Sequence, residues 1–193
     1  MRGKLGVAGK AFRQYVILIV IGLLLPAYAC DSGGGVASPP GVAEQPTPTT
    51  SPADSWRDFA DSQYGVSLRV PAGWQPVAGY EKRYGGPDGF FQLDAAGQGI
   101  SLEYLCDINA HHHLQPYGSA PTIEWRAVAG RDACLILPSS DQPASEKGSA
   151  ALIVPYPTPQ LIGSDRYQYF VLYADEKHIS QMADSVQFTA GEP

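Results

Sequence analysis

Apolar and polar residues alternate from Tyr64 onward: Tyr64, Val66, Leu68 and Val70 are interleaved with Gly65, Ser67 and Arg69. A period of two predicts a strand with one buried face. Pro71-Ala72-Gly73-Trp74 ends it. Residues 77–84 and 89–95 read as two more strands, joined by the turn Gly85-Gly86-Pro87-Asp88. The preceding stretch, 55–61, reads as a short turn of helix or a lead-in. After Ser101, a capping residue, the period changes to that of a helix over 102–114. Leu102, Leu105, Cys106, Asn109, Ala110 and His113 share one face of it, and Glu103, Asp107 and His111 share the opposite face. Residues 122–128 and 133–137 then form a hairpin around Ala129-Gly130-Arg131-Asp132. The runs 134–137 and 150–154 are apolar on both faces, as in central strands covered from both sides. Residues 161–162 and 167–173 flank a turn at Gly163-Ser164-Asp165, and a helix over 175–184 and a strand over 185–188 close the chain. The predicted order is β-β-β-α-β-β-β-β-α-β. It defines one α+β domain over residues 56–190, a mainly antiparallel sheet flanked by helices.

The first 55 residues follow a different pattern. Arg2, Lys4, Lys10 and Arg13 precede an unbroken apolar run over 15–25, then Pro26 and Ala27-Tyr28-Ala29. Positive start, short apolar stretch and small residues predict a signal peptide over 1–29. The run falls short of the ~20 residues that span a bilayer. Small residues directly before Cys30 resemble the lipobox of bacterial lipoproteins, although Ala27 stands where Leu is usual. That resemblance implies cleavage before Cys30 and a lipid (diacylglyceryl and palmitate) on this residue, holding the protein at the extracytoplasmic face of the membrane. Release as a secreted protein and retention as a signal anchor are the alternatives. Residues 30–55 carry the lipidated Cys and a tether; 16 of the 25 residues from 31 to 55 are Gly, Pro, Ser or Thr, too few apolar groups to form a core.

Charge follows the same partition. The net charge of the whole is −6, but all four charges before Cys30 are basic. The remainder carries 9 basic against 19 acidic residues, a net of −10. An acidic surface excludes nucleic acid as a partner, since phosphate must be met by positive charge. Three cysteines divide in the same way. With Cys30 lipidated, Cys106 and Cys134 are left as an even pair, a disulfide in an oxidising compartment or two buried thiols.

The opening of the domain, Tyr64-Gly-Val-Ser-Leu-Arg-Val-Pro-Ala-Gly-Trp74, resembles the start of PsbP-like domains: an aromatic-Gly pair, a strand, then Pro-x-x-Trp. The end, His178-Ile-Ser-Gln-Met-Ala-Asp-Ser-Val-Gln-Phe188, is similar to their last helix and closing Ser-Phe strand. The resemblance implies an antiparallel sheet with a helix after the third strand, used for docking to partners and sharing no catalytic residues.

Candidate chemistry is sparse. Three successive histidines, His111 to His113, point 100° apart on a helix and cannot converge on one ion. Glu103, Asp107 and His111 at i, i+4 and i+8 are the candidate metal ligands, weighed against a solvated polar face. His113 is expected at the edge of the core near Cys106, and His112 and His178 have no evident partner. Tyr167, Tyr169 and Tyr173 share one strand face and could bind a sugar or a peptide; the competing reading is a packing layer under a helix. No nucleophile elbow, phosphate loop, H-E-x-x-H or C-x-x-C motif occurs, and no cofactor is expected. The function these features predict is a membrane-anchored extracytoplasmic lipoprotein with a non-catalytic binding or docking domain whose partner is another extracytoplasmic protein. A ligand- or metal-binding module and a hydrolase are the second and third readings.

Overall fold

Two antiparallel sheets face each other across the larger of two cores. The structure is a computed structural model and describes residues 55–146 and 148–189. The expected signal peptide, the lipid-bearing Cys30 and all but the last residue of the tether lie outside the described residues. The first strand, β1 (Trp56–Asp61), pairs with β2 (Val66–Pro71) in the register Trp56↔Pro71 to Asp61↔Val66. Residues 56–61 are thus a strand, not a helical turn. Trp56 and Phe59 favour a sheet, and the pairing with β2 satisfies a backbone that so short a helix would leave open. The alternation read in β2 is real: Val66, Leu68 and Val70 all point into the core. A short terminal strand, β10 (Gln187–Phe188), pairs with the other side of β2.

The larger sheet contains β3 (Gln75–Pro76), β4 (Arg83–Gly86), β5 (Gly89–Ala96), β6 (Thr122–Val128), β7 (Arg131–Leu137), β8 (Ser149–Ile162) and β9 (Asp165–Asp175). Its order is β3-β4-β5-β9-β8-β7-β6, with each described pairing antiparallel. Helix α1 (Leu102–Ala110) lies between β5 and β6 in sequence, and α2 (Ile179–Ser185) precedes β10. The α+β class matches the expectation, but α1 follows the fifth strand instead of the third, because residues 56–61 and 75–76 are strands as well. Among the described residues, no helix is long and apolar enough to cross a membrane.

Several boundaries differ from the expectation for identifiable reasons. Only 83–84 of the predicted strand 77–84 is strand, and β4 runs on through Gly85 and Gly86 of the predicted turn; before it the chain turns through Gly79 and Lys82, both at positive φ. Lys82 is held there by its Nζ, 2.6 Å from Asp61 Oδ2. The runs 150–154 and 161–162 belong to one strand, β8, whose register shifts between Pro155 and Gln160. Pro155, Pro157 and Pro159 sit in that irregularity, where a missing N–H costs no ladder bond. Helix α2 begins later than predicted because β9 continues to Asp175, which still pairs with Ser149.

The central strands β7, β8 and β9 are buried on both faces, as the two-sided runs predict. On one face Leu135, Leu152, Phe170 and Leu172 pack with Val66, Leu68 and Val70 of the small sheet and with Ile179 and Met182 of α2. On the other, Cys134, Ile136, Ile153 and Val171 meet Leu102, Leu105, Cys106 and Ala110 of α1. A Cys106–Cys134 disulfide, Cα atoms 6.3 Å apart, joins α1 to β7 across this second core.

The connection from α1 to β6 is tied down at Asp141. Its carboxylate accepts hydrogen bonds from the N–H of Ser119 and the hydroxyl of Ser139. Side-chain bonds from Ser119 and Ser139, then the Ser119 N–H, hold its pKa at about 2, below the ordinary 3.8. A carboxyl lowered on folding stabilises the native state above its unfolded pKa and loses that contribution as pH falls through the folded one. Asp141→Asn should therefore be less stable than wild type at neutral pH, with the difference closing between about pH 4 and about pH 2. Urea midpoints of both proteins across that range check it; a difference that stays constant would contradict it.

Candidate functional site

The main polar constellation forms where the β4–β5 turn meets the end of β9. Trp74 follows β2 in a turn closed by its N–H to Pro71 O, 3.3 Å. Its indole is buried, edge-on to His178 at 4.9 Å and stacked on Phe91 at 6.1 Å between centroids. The turn Gly86-Pro87-Asp88-Gly89 then wraps over it, and Asp88 Oδ1 accepts the indole N–H at 3.0 Å. Glycine is required at both ends of that turn. A Cβ on Gly86 would strike the indole, and one on Gly89 would strike the Asp175 carboxylate and lie 2.9 Å from Trp74 Cζ2.

Asp175 ends β9 and is buried. Its Oδ1 accepts the Lys177 N–H at 3.2 Å and faces His178 Nδ1 at 2.7 Å, while Oδ2 accepts the Phe90 N–H at 3.2 Å. A carboxylate only accepts, so Nδ1 carries the proton of the His178 bond. On the other side of the ring, Nε2 lies 3.5 Å from Asp88 Oδ2. His178, which the sequence left without a partner, thus sits between two carboxylates and against the rings of Trp74 and Trp56. A buried charge needs partners of this kind to offset its desolvation. The signal available in sequence was the Asp175-x-x-His178 spacing together with Trp74, but the joining of 88, 90 and 175 depends on tertiary pairing.

An Asp–His pair is also the orienting half of a nucleophilic triad, in which Nε2 would take a proton from Ser or Cys. Here Nε2 faces the Asp88 carboxylate, which has no proton to give when ionised. The cluster's hydrogen bonds run to one another and to backbone N–H groups, so its chemistry is that of a clasp joining the turn, β9 and the start of α2.

The proposed metal ligands separate at the two ends of α1. Asp107 Oδ1 and His111 Nδ1 lie 3.0 Å apart on an exposed surface. Glu103 belongs to the N-terminal turn, where its own backbone N–H and the Ser101 hydroxyl hold its carboxyl below the usual range. Among the described residues, no group of three His, Cys, Asp or Glu side chains lies close enough to hold one ion. The helix ends at Ala110 instead of 114, so His113 is exposed and not at the core edge. No apolar face continues beyond Ala110, and Leu114 is itself exposed. The rings of His112 and His113 lie 4.3 Å apart at a tilt of 43°, and His112 Nδ1 accepts the Leu114 N–H.

The tyrosine stripe is a packing layer. Tyr169 is buried in the core under α1 and donates its hydroxyl to Ile100 O at 2.8 Å. Tyr173 packs against the same core, and burial pushes its phenol up to about 12. Tyr167 packs against the other core. The reason lies in β9 itself, whose two faces are both covered. An open cleft of about 440 Å³ lies elsewhere, along Trp125, Arg126 and Ala127 of β6, with Glu103 and Asp132. At the β4–β5 end of the large sheet, the Arg83 guanidinium lies over the rings of Phe90 at 4.0 Å and Tyr80 at 4.7 Å, with Tyr80 exposed.

An antiparallel α+β sandwich with a helix on its outer face is the class that these elements define. No protein-family model matches the chain, and no curated protein matches it. Among solved structures it is similar to the solution structure of cyanobacterial PsbP (CyanoP) from Synechocystis sp. PCC 6803. That match has 11% identity and a TM-score of 0.39, covering 76% of this chain and 98% of that one.

Proposed function

We propose that the chain is a lipid-anchored extracytoplasmic protein whose domain docks to another extracytoplasmic protein and performs no reaction. The observation that carries the reading is the pairing of Cys106 with Cys134. A bridge suits an oxidising compartment, and it leaves Cys30, next to the small residues of the signal, as the one cysteine available for a lipid. The closed hydrogen bonding of the His178 cluster supports the non-catalytic half of the reading. The Tyr80–Arg83–Phe90 stack offers the residue types that dominate protein–protein contacts.

Metabolic labelling with a palmitate analogue tests the anchor. The wild-type chain should take up label and partition with membranes. Cys30→Ser should lose both properties, and a variant that keeps the label would contradict the assignment. For docking, a photoreactive residue at position 80 should form an adduct with one partner protein, and Arg83→Ala should weaken it. Adducts indifferent to Arg83 would remove this face from consideration.

A further inference from the structure

Strand β6 is the long open edge of the large sheet. Among the described residues it has one neighbour, β7, whereas the opposite edge is the two-residue β3, which contains Pro76. Open edges present unpaired N–H and C=O groups and are usually shortened, covered or interrupted by proline. Among the described residues nothing covers 122–128, no proline interrupts them, and Trp125 is 53% exposed there.

The hairpin fixes which backbone groups face outward. Ala129 and Gly130, φ 50° and 72°, form a two-residue turn of the I′ type, closed by the pair Val128↔Arg131. That closing pair is hydrogen-bonded, so Val128, Arg126, Glu124 and Thr122 direct their N–H and C=O groups to β7. Ile123, Trp125 and Ala127 direct theirs to the open side. The same three side chains lie on the α1 face, as the pairing Trp125↔Cys134 shows.

We infer that β6 pairs with β6 of a second copy of this chain, antiparallel, about a two-fold axis through Trp125. In this register Trp125 meets its own counterpart as a hydrogen-bonded pair, and Ile123 meets Ala127 of the second copy. All three outward residues on each copy are then satisfied. On the α2 face Glu124 lies opposite Arg126 of the second copy, twice per dimer, and opposite charges across a pair of strands attract. Arg126 already pairs with Asp184 of α2 in its own chain, and a guanidinium has donors enough for both carboxylates. Neighbouring registers fail on the same ground: an axis through Glu124 or Arg126 sets like charges against each other. The two tryptophans meet at the seam on the α1 face, closing over the clefts lined by Trp125 and Ala127. A two-fold contact of this kind closes at two copies and leaves no β6 edge exposed.

Sedimentation equilibrium of the full chain in a density-matched detergent tests the pairing. The wild type should associate to a dimer as concentration rises. Glu124→Arg places like charges opposite each other twice and should weaken association at least tenfold, with circular dichroism unchanged. Inverting the whole set, Glu124→Arg with Arg126→Glu and Asp184→Lys, restores each opposite-charge contact and should restore the dimer. A wild-type chain that is monomeric at every concentration would overturn the inference. So would a Glu124→Arg protein that dimerises like wild type, or a folded triple variant that remains monomeric.

Discussion

Trp74→Ala should lower the unfolding free energy by about 3–5 kcal/mol, the range for emptying a large buried aromatic site. The indole fills the space under the β4–β5 turn and touches Phe91 and His178. Its loss also strips Asp88 of the N–H donor and leaves the two glycines of the turn wrapped around a void. Trp74→Phe separates the two effects, because it keeps most of the volume and removes the donor. Its cost should be nearer 1–2 kcal/mol, roughly that of one hydrogen bond to a charged acceptor at a partly exposed site. Urea unfolding gives both numbers from the midpoints at constant slope. If alanine costs less than about 1 kcal/mol, the tryptophan is not the post on which this turn rests.

The second large effect is that of the disulfide. Cutting it with Cys106→Ala and Cys134→Ala together should cost about 3–4 kcal/mol on the chain-entropy model for a 28-residue separation. The loss should appear first in α1, whose apolar face of Leu102, Leu105 and Ala110 would then hold it to β7 and β8 without a covalent tie. Hydrogen exchange should show α1 amides losing protection ahead of those in β8 and β9. Uniform loss across the domain would mean that the helix and sheet remain one cooperative unit without the bridge.

The elements that were legible in the sequence are those whose pattern has one physical cause. Val66, Leu68 and Val70 alternate because one face of β2 is buried. The runs through Leu135 and Leu152 are apolar throughout because both faces are covered. Cys106 was placed inward by helical spacing, and the structure joins it to Cys134. Failures arose where a polar residue takes an inward position or a local signal is outweighed by tertiary pairing. Asp61 points into the core of β1 and is satisfied by Lys82, a residue 21 positions away, so the strand did not read as alternating. The His178 clasp draws on residues 74, 88, 90 and 175, and no spacing along the chain unites them. The tyrosines of β9 left a binding surface and a packing layer both open because phenols are amphipathic; the structure gives the packing layer, with α1 over Tyr169, whose hydroxyl finds Ile100 O.

The division of three cysteines into one anchor and one staple underlies both the location and the reading of the domain as a docking module. Thiol counting by mass spectrometry tests it most directly. The chain is isolated from membranes, denatured and alkylated before and after reduction. Lipidation at Cys30 and a Cys106–Cys134 bridge predict no alkylated thiol before reduction and two after it. One alkylated thiol before reduction would show Cys30 without its lipid, and two would show the bridge absent.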